Sequence, residues 1–174
     1  MIGTATTDPV QIRPWRTGDE VLLAEIGDEF SLRSLYSRFH GGYSRLPKVY
    51  LRQLAAAWSQ RRWDAVLAIH RGRVIGWAEY ARGGTDPNVA DLGVLVVDAW
   101  QHRGLGPTLA RAVLERAAAA GLTALRADVL IVNRAARAMI ESLSGPNLHA
   151  ERDGEVVCYT VPLVPYFDHP AISA

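Results

Sequence analysis

The stretch Gln101-His102-Arg103-Gly104-Leu105-Gly106 lies between Asp91 to Val97, a run apolar on both sides of its alternation, and an alanine-rich segment with helical spacing. A glycine turn that opens a helix is suited to an anion. The first N–H groups of a helix have no partner within it, the helix dipole adds partial positive charge, and glycine lets a phosphate approach the backbone. Pro107 fits an early helical position, which has no use for the missing N–H. Leu109 breaks the GxGxxG spacing of dinucleotide sites, and GxxxxGK[ST] is also absent. The alternative is a tight strand-to-helix turn with no ligand.

Other reactive residue types point to little. Cys158, the only cysteine, sits in the apolar pattern VVCYTV and reads as a small buried thiol, and one cysteine excludes a disulfide framework. His40, His70, His102, His149 and His169 have no ligand spacing, so no metal is implied.

The elements that must position the glycine turn follow from periodicity. A short extended stretch at 10–13 precedes Thr17 and Glu20, whose capping-box spacing predicts a helix through Ile26. Helices are predicted over 31–39 and from Pro47, the latter with Leu51, Leu54, Ala55 and Trp58 on its apolar side. Strands over 65–70 and 74–80 flank Arg71-Gly72-Arg73 as a hairpin. After the 91–97 strand come the helix ending at Gly121, a strand over 125–132, and a helix capped by Asn133 and ended by Gly145 and Pro146. A hairpin turning on Asp153-Gly154 closes the order. Residues 1–9 and 164–174 read as a terminal arm and tail around one domain over 10–163.

The run VVDAWQHRGLGPTLARAVLERAAAAG resembles the acetyl-CoA-binding motif of the GCN5-related N-acetyltransferase (GNAT) family, Gln/Arg-x-x-Gly-x-Gly/Ala after a central strand, and the order of elements matches over residues 10–163. SLRSLYSRFHGGYSRL at 31–46 is also similar to bacterial protein-lysine acetyltransferases, where Ser-x-x-Ser-x-Tyr-x-Arg-Phe recurs. The resemblance implies a single α/β domain: a mixed, mostly antiparallel sheet flanked by helices, its two central parallel strands splayed apart.

It further implies acetyl-CoA as co-substrate. Backbone amides of Gln101, His102, Arg103, Gly104, Leu105 and Gly106 would take the pyrophosphate, with the Arg103 and Thr108 side chains helping. Leu95, Val96 and Val97 would pair with the pantetheine arm through their backbones, Asn133 would contact it, and an N–H near Val94 or Leu95 would polarise the thioester carbonyl. Transfer to an amine requires removal of a proton from a group of pKa about 10.4. Asp91, where protein-acetyltransferase relatives carry a glutamate, is the first candidate base, acting through water; Glu79 in IGWAEY is the second. Tyr36, Arg38, Phe39 and Tyr43 are candidate walls of the acceptor site. Many relatives place a tyrosine in the last helix to protonate the leaving thiolate. Here the corresponding position is Ile140; water or Tyr159 remains for that role.

The chain has 174 residues with 19 Lys+Arg against 18 Asp+Glu, so the formal net charge of +1 disfavours a nucleic-acid partner. With no apolar run of about 20 residues, no membrane partner is expected either. The opening MIGTATTDPV lacks the features of a secretory signal, and a cytoplasmic monomer or homodimer is expected. The leading expectation is direct acetyl transfer in a ternary complex to a primary amine, either a protein lysine or a small amine. The other is a domain that binds acetyl-CoA as a regulatory signal with little or no turnover.

Overall fold

The computed structural model describes residues 8–144 and 147–163. Seven strands make one sheet: β1 Gln11–Pro14, β2 Trp63–His70, β3 Arg73–Ala81, β4 Val89–Val96, β5 Ala124–Leu130, β6 His149–Asp153 and β7 Val156–Pro162. Their order is β1-β2-β3-β4-β5-β7-β6. All neighbours are antiparallel except the central β4 and β5. Among the described residues five α-helices, with a 3-10 turn at Asp98–Trp100, pack with the sheet: α1 Glu20–Glu25, α2 Leu32–Phe39, α3 Lys48–Ser59, α4 Leu105–Ala119 and α5 Arg134–Ser144. This is the expected α/β architecture.

Local chemistry explains most boundaries. At the β2–β3 turn Arg71 and Gly72 have φ of 50° and 78°, the paired left-handed conformations of a tight primed turn. Ser31 starts α2 by accepting from the Ser34 N–H at 3.2 Å. Thr17 does not cap α1. That helix begins one residue after Asp19, whose carboxylate instead accepts from Arg13 at 2.7 and 2.8 Å and from the Arg16 N–H at 2.7 Å. A charge-assisted pair with β1 outcompetes the capping box. Ala55 is exposed, so α3 buries a narrower face around Leu54 than its pattern predicts. β5 ends at Leu130, two residues early, because Asn133 turns the chain into α5 by accepting from the Ala136 N–H at 3.2 Å. The expected stop at Gly145 and Pro146, residues 1–7 of the arm, and the tail lie outside the described residues.

The strand alternation sorts the core into layers. On one face Trp77, Trp63, Leu67, Leu95 and Val97 pack with Leu23, Ile26, Leu35 and Leu54 of α1, α2 and α3. On the other, Ala78, Tyr80 and Val96 meet Leu105, Leu109, Val113 and Ala117 of α4, and Ala127, Val129 and Tyr159 meet Ile140 of α5. Among the described residues, no helix covers the remaining sheet quadrant with comparable packing. There Arg126 and Asp128 of β5 are exposed, as is all of β6.

Candidate active site

The pairing of β4 with β5 covers only Val89↔Ala124, Ala90↔Leu125 and Asp91↔Arg126. Beyond this point the strands part. β4 stays with β3 as far as Gly76↔Val96, while β5 stays with β7 as far as Leu130↔Val156. A wedge therefore opens along Leu92 to Val97, with Asp91 at its closed end and the glycine turn beyond its open end. Leu95, Val96 and Val97 are buried, so any contribution to this wedge is backbone. Val97 is already committed, its N–H donating to Ile75 O at 3.0 Å and its carbonyl accepting from the Trp100 N–H at 2.7 Å, against the expectation that it pairs with an extended arm.

The turn has the geometry that an anion requires. His102 and Gly104 take φ of 60° and 77°, which turns the chain sharply into α4. Among the described residues the N–H groups of His102, Arg103, Gly104, Leu105 and Gly106 donate to nothing. The Gln101 side chain ties this loop down by donating to the Val96 carbonyl at 3.0 Å and the Ser34 hydroxyl at 3.1 Å. Gly106 faces α5 so closely that a Cβ would stand 3.3 Å from the Met139 sulfur. The Arg103 guanidinium lies 5.0 Å from the Trp100 ring centroid, and the Thr108 hydroxyl donates to Gly104 O at 3.0 Å within its own helix. The side-chain atoms expected to help are thus engaged locally, whereas the backbone amides are free. Asn133 spends one side-chain oxygen on its capping bond.

The two candidate bases occupy different environments on one face of the sheet. Asp91 is open to solvent and pairs with Arg126 across the β4–β5 junction, the side chains being 55% and 54% exposed and 2.9 Å apart. Glu79, paired in register with Gly93, is 3% exposed. Its oxygens accept from the Tyr50 hydroxyl at 2.7 Å, from Trp63 Nε1 at 2.8 Å and from Arg38 Nη2. Trp77 Nε1 donates to the same tyrosine oxygen at 3.1 Å. Burial opposes the Arg38 charge, but the Glu79 carboxylate outweighs it and holds that pKa above its ordinary value. Burial, then the Glu79 charge, pushes Tyr50 well above the ordinary tyrosine value, which keeps its hydroxyl a donor.

Arg38 is carried across β4 to reach this carboxylate. Its guanidinium occupies the space that a side chain at Gly93 would fill. Phe39 and Tyr50 flank it, with centroids 5.1 and 5.8 Å from Arg38 Cζ. Phe39 also meets the rings of Tyr50 and Tyr43 edge-on. Of the four residues expected at the acceptor wall, Arg38 and Phe39 belong to this cluster, Tyr43 borders it, and Tyr36 is exposed.

Sequence reasoning missed Tyr50, Trp63 and Gly93. Buried Glu79 needed donors, but those come from elements 16 to 41 residues away, so no spacing pattern exposes them. Tyr159 is excluded from the wedge's Asp91 face, since its hydroxyl donates to Glu141 of α5 at 3.0 Å and accepts from Arg137 at 3.3 Å. Cys158 lies beside Asp128, which with burial and the charges of Asp153 and Glu151 raises the thiol pKa and disfavours a nucleophilic thiolate. Among the described residues no His, Cys, Asp and Glu cluster could hold a metal ion, and no helix is long and apolar enough to cross a membrane.

The mixed sheet, whose two central parallel strands part in front of a glycine-opened helix, is the arrangement that the family resemblance implies. The model of the acetyltransferase (GNAT) family matches residues 30–145, and the chain belongs to that family. Its fold is similar to the GNAT domain of Streptomyces lividans PAT (TM-score 0.77, 21% identity, covering 93% of this chain and 100% of that one). It is also similar to yncA of Salmonella typhimurium with its cofactor acetyl-CoA (TM-score 0.68, 18% identity, 95% and 99% covered). A third similar structure is the PaiA N-acetyltransferase of Thermoplasma acidophilum in complex with coenzyme A (TM-score 0.63, 17% identity, 88% and 99% covered). No curated protein sequence matches. Membership of an acetyltransferase family supports acetyl-CoA as co-substrate.

Proposed function

We propose that the protein is a cytoplasmic N-acetyltransferase that moves the acetyl group of acetyl-CoA to a primary amine by direct attack in a ternary complex. The observation that carries this reading is the parting of β4 and β5 at Asp91↔Arg126, between a solvent-open carboxylate and the unpartnered amides of residues 102–106. Those amides suit a pyrophosphate, and beyond Asp91 the wedge has buried walls and a β4 edge without a partner strand on its β5 side, along which an extended arm could lie. The fit is backbone-led, with Asn133 at the end of β5 as a contact to the arm and Arg103 and Thr108 at the rim.

Acetyl-CoA, when bound, supplies an acyl carbon activated as a thioester. The N–H near Val94 or Leu95 would stabilise negative charge developing on the carbonyl oxygen. The acceptor nitrogen bonds to that carbon, the carbon–sulfur bond breaks, and the thiolate takes a proton from water. Asp91 would accept the amine's proton through water, its exposure leaving room for that water. Glu79, the second candidate, has both oxygens filled by donors, and its part is to fix Arg38 beside β4. Tyr36, Arg38 and Phe39 would wall the acceptor site. Resemblance of 31–46 to protein-lysine acetyltransferases makes a protein lysine the first acceptor to try and a small amine the second.

The test is calorimetric titration of acetyl-CoA and CoA into wild type and Gly106→Asp, followed by CoA thiol release with lysine peptides and small amines. Saturable binding lost in the variant, with release that needs an amine, is expected. No wild-type binding would sink the reading. Binding without release above background would indicate a regulatory acetyl-CoA-binding domain instead.

A further inference from the structure

We infer that Arg38 is a receptor for an anionic group on the acceptor, so that the preferred acceptor is an amine carrying a carboxylate only a few bonds away, such as a free amino acid. This deepens, and rests on, the acetyltransferase reading.

The first argument is place. The guanidinium lies on the same face of β4 as Asp91, over Gly93, two residues further along the strand. Alternate residues of a strand stand about 6.8 Å apart, so a proton acceptor and a fixed cation sit within one small molecule's reach of each other. Gly93 is what admits the cation, since any Cβ there would overlap it.

The second argument is donor count. A guanidinium carries five N–H groups, and among the described residues Arg38 spends only Nη2, on Glu79. Its Nε is buried with no partner, and Nη1 bonds to nothing. Buried N–H groups without an acceptor are rare and call for an explanation. Glu79 holds the guanidinium through Nη2 alone, so it balances the cation's charge but leaves the remaining N–H groups without an acceptor. The side chain is 24% exposed, and whereas Nε is sealed from solvent, the unpartnered Nη1 is not, so an acceptor can approach it there.

The third argument is rigidity. Glu79 fixes one end of the guanidinium, and Phe39 and Tyr50 flank it. A cation held this way loses little side-chain freedom on binding, and its planar N–H groups match a carboxylate better than an ammonium would. A neutral carbonyl of a peptide could also accept from Nη1, with a weaker bond, and that is the competing outcome.

Matched pairs separate the two. CoA release is measured with acetyl-CoA and with leucine, glutamate and lysine, each against its carboxamide, and against a lysine peptide blocked at both ends. The expected result is kcat/KM for the free acids about tenfold to a hundredfold above the amides in wild type. Arg38→Gln and Arg38→Lys should both shrink that ratio, mainly through KM. The wild-type ratio needs no variant to fold, and unfolding midpoints identify variants that have lost structure. Acids and amides used equally, or the blocked peptide preferred, overturns the inference while leaving acetyl transfer intact. No turnover with any acceptor overturns it too, and the acetyl-CoA titration then decides whether the parent reading falls with it.

Discussion

Glu79 with Arg38 and Asp91 with Arg126 are both acid–arginine pairs anchored on adjacent strands of one sheet face, yet they are built oppositely. The first pair is enclosed: Glu79 is 3% exposed and its oxygens receive two neutral donors besides the arginine. The second stands more than half in water. A carboxylate sheathed by donors has no free lone pair to offer a substrate and little room for a relay water, so it is a fixture. A carboxylate in water, one residue from where β4 and β5 part, can exchange a partner for a proton. In the proposed mechanism, the number of lone pairs already filled separates the two candidate bases, rather than acid type or proximity to the site.

The largest contrast should come from removing each acid. Glu79→Ala strands Arg38 in a buried site and should cost about 3–5 kcal/mol of stability, read from the urea midpoint. Asp91→Asn breaks only an exposed pair and should cost about 1 kcal/mol or less. Activity reverses the ranking: once a working acceptor is known, Asp91→Asn should lower kcat about a hundredfold at neutral pH with acetyl-CoA affinity retained. If Asp91→Asn left kcat unchanged across pH, Asp91 would not be the base and the comparison would lose its functional half.

Gly93→Ala should come next, at about 1–3 kcal/mol, because the new methyl enters the volume of the Arg38 guanidinium. Strand propensity argues the other way, since glycine weakens strands. A double-mutant cycle decides: in an Arg38→Ala background the same substitution should be neutral or stabilising. Equal costs in both backgrounds would mean that Arg38 does not occupy that space. Tyr50→Phe should be milder, about 1–2 kcal/mol, since Glu79 keeps the Arg38 and Trp63 donors while the buried Trp77 N–H loses its acceptor.

The parts of this site differ in how far sequence reveals them. Residues 101–106 are contiguous, and their chemistry is that of glycine before a helix, so the turn is legible without any tertiary information. Strand and helix order is legible for the same reason, through periodicity and turns such as Arg71-Gly72. The parting of the central strands was expected only through family resemblance, because a pairing that stops after Asp91↔Arg126 leaves no mark in either strand's alternation. The Glu79 cluster assembles α2, α3, β2 and β3 around one carboxylate, and each member reads singly as an ordinary core or surface residue. Gly93 reads as a weak point in a strand until the guanidinium above it is seen. At Thr17 and Glu20 the local motif was misleading, because Arg13 draws Asp19 into a pair that no spacing rule along one helix includes.

That third pair, Arg13 with Asp19, calibrates the other two. Its side chains are 14% and 8% exposed, against 24% and 4% for Arg38 and Glu79, but it ties β1 to the start of α1 on the side of the fold away from β5. Burial works against the Asp19 charge, but the Arg13 hydrogen bonds, the Arg16 N–H and the positive charges of both prevail, and its pKa lies below the ordinary 3.8. A carboxylate whose folded pKa is depressed contributes stability that is complete above its unfolded value, about 4, and is lost as pH falls through the folded value. Asp19→Asn should therefore be less stable than wild type at neutral pH, and the gap should begin to narrow below about 4 and close only below the folded pKa, where both carry a neutral side chain. Urea midpoints across pH measure this, and CoA release by the folded variant should match wild type. A gap that stayed constant through the acid range would show that packing and hydrogen-bond geometry, rather than the charge, hold this junction, and the Glu79 pair would have to be reconsidered on the same footing.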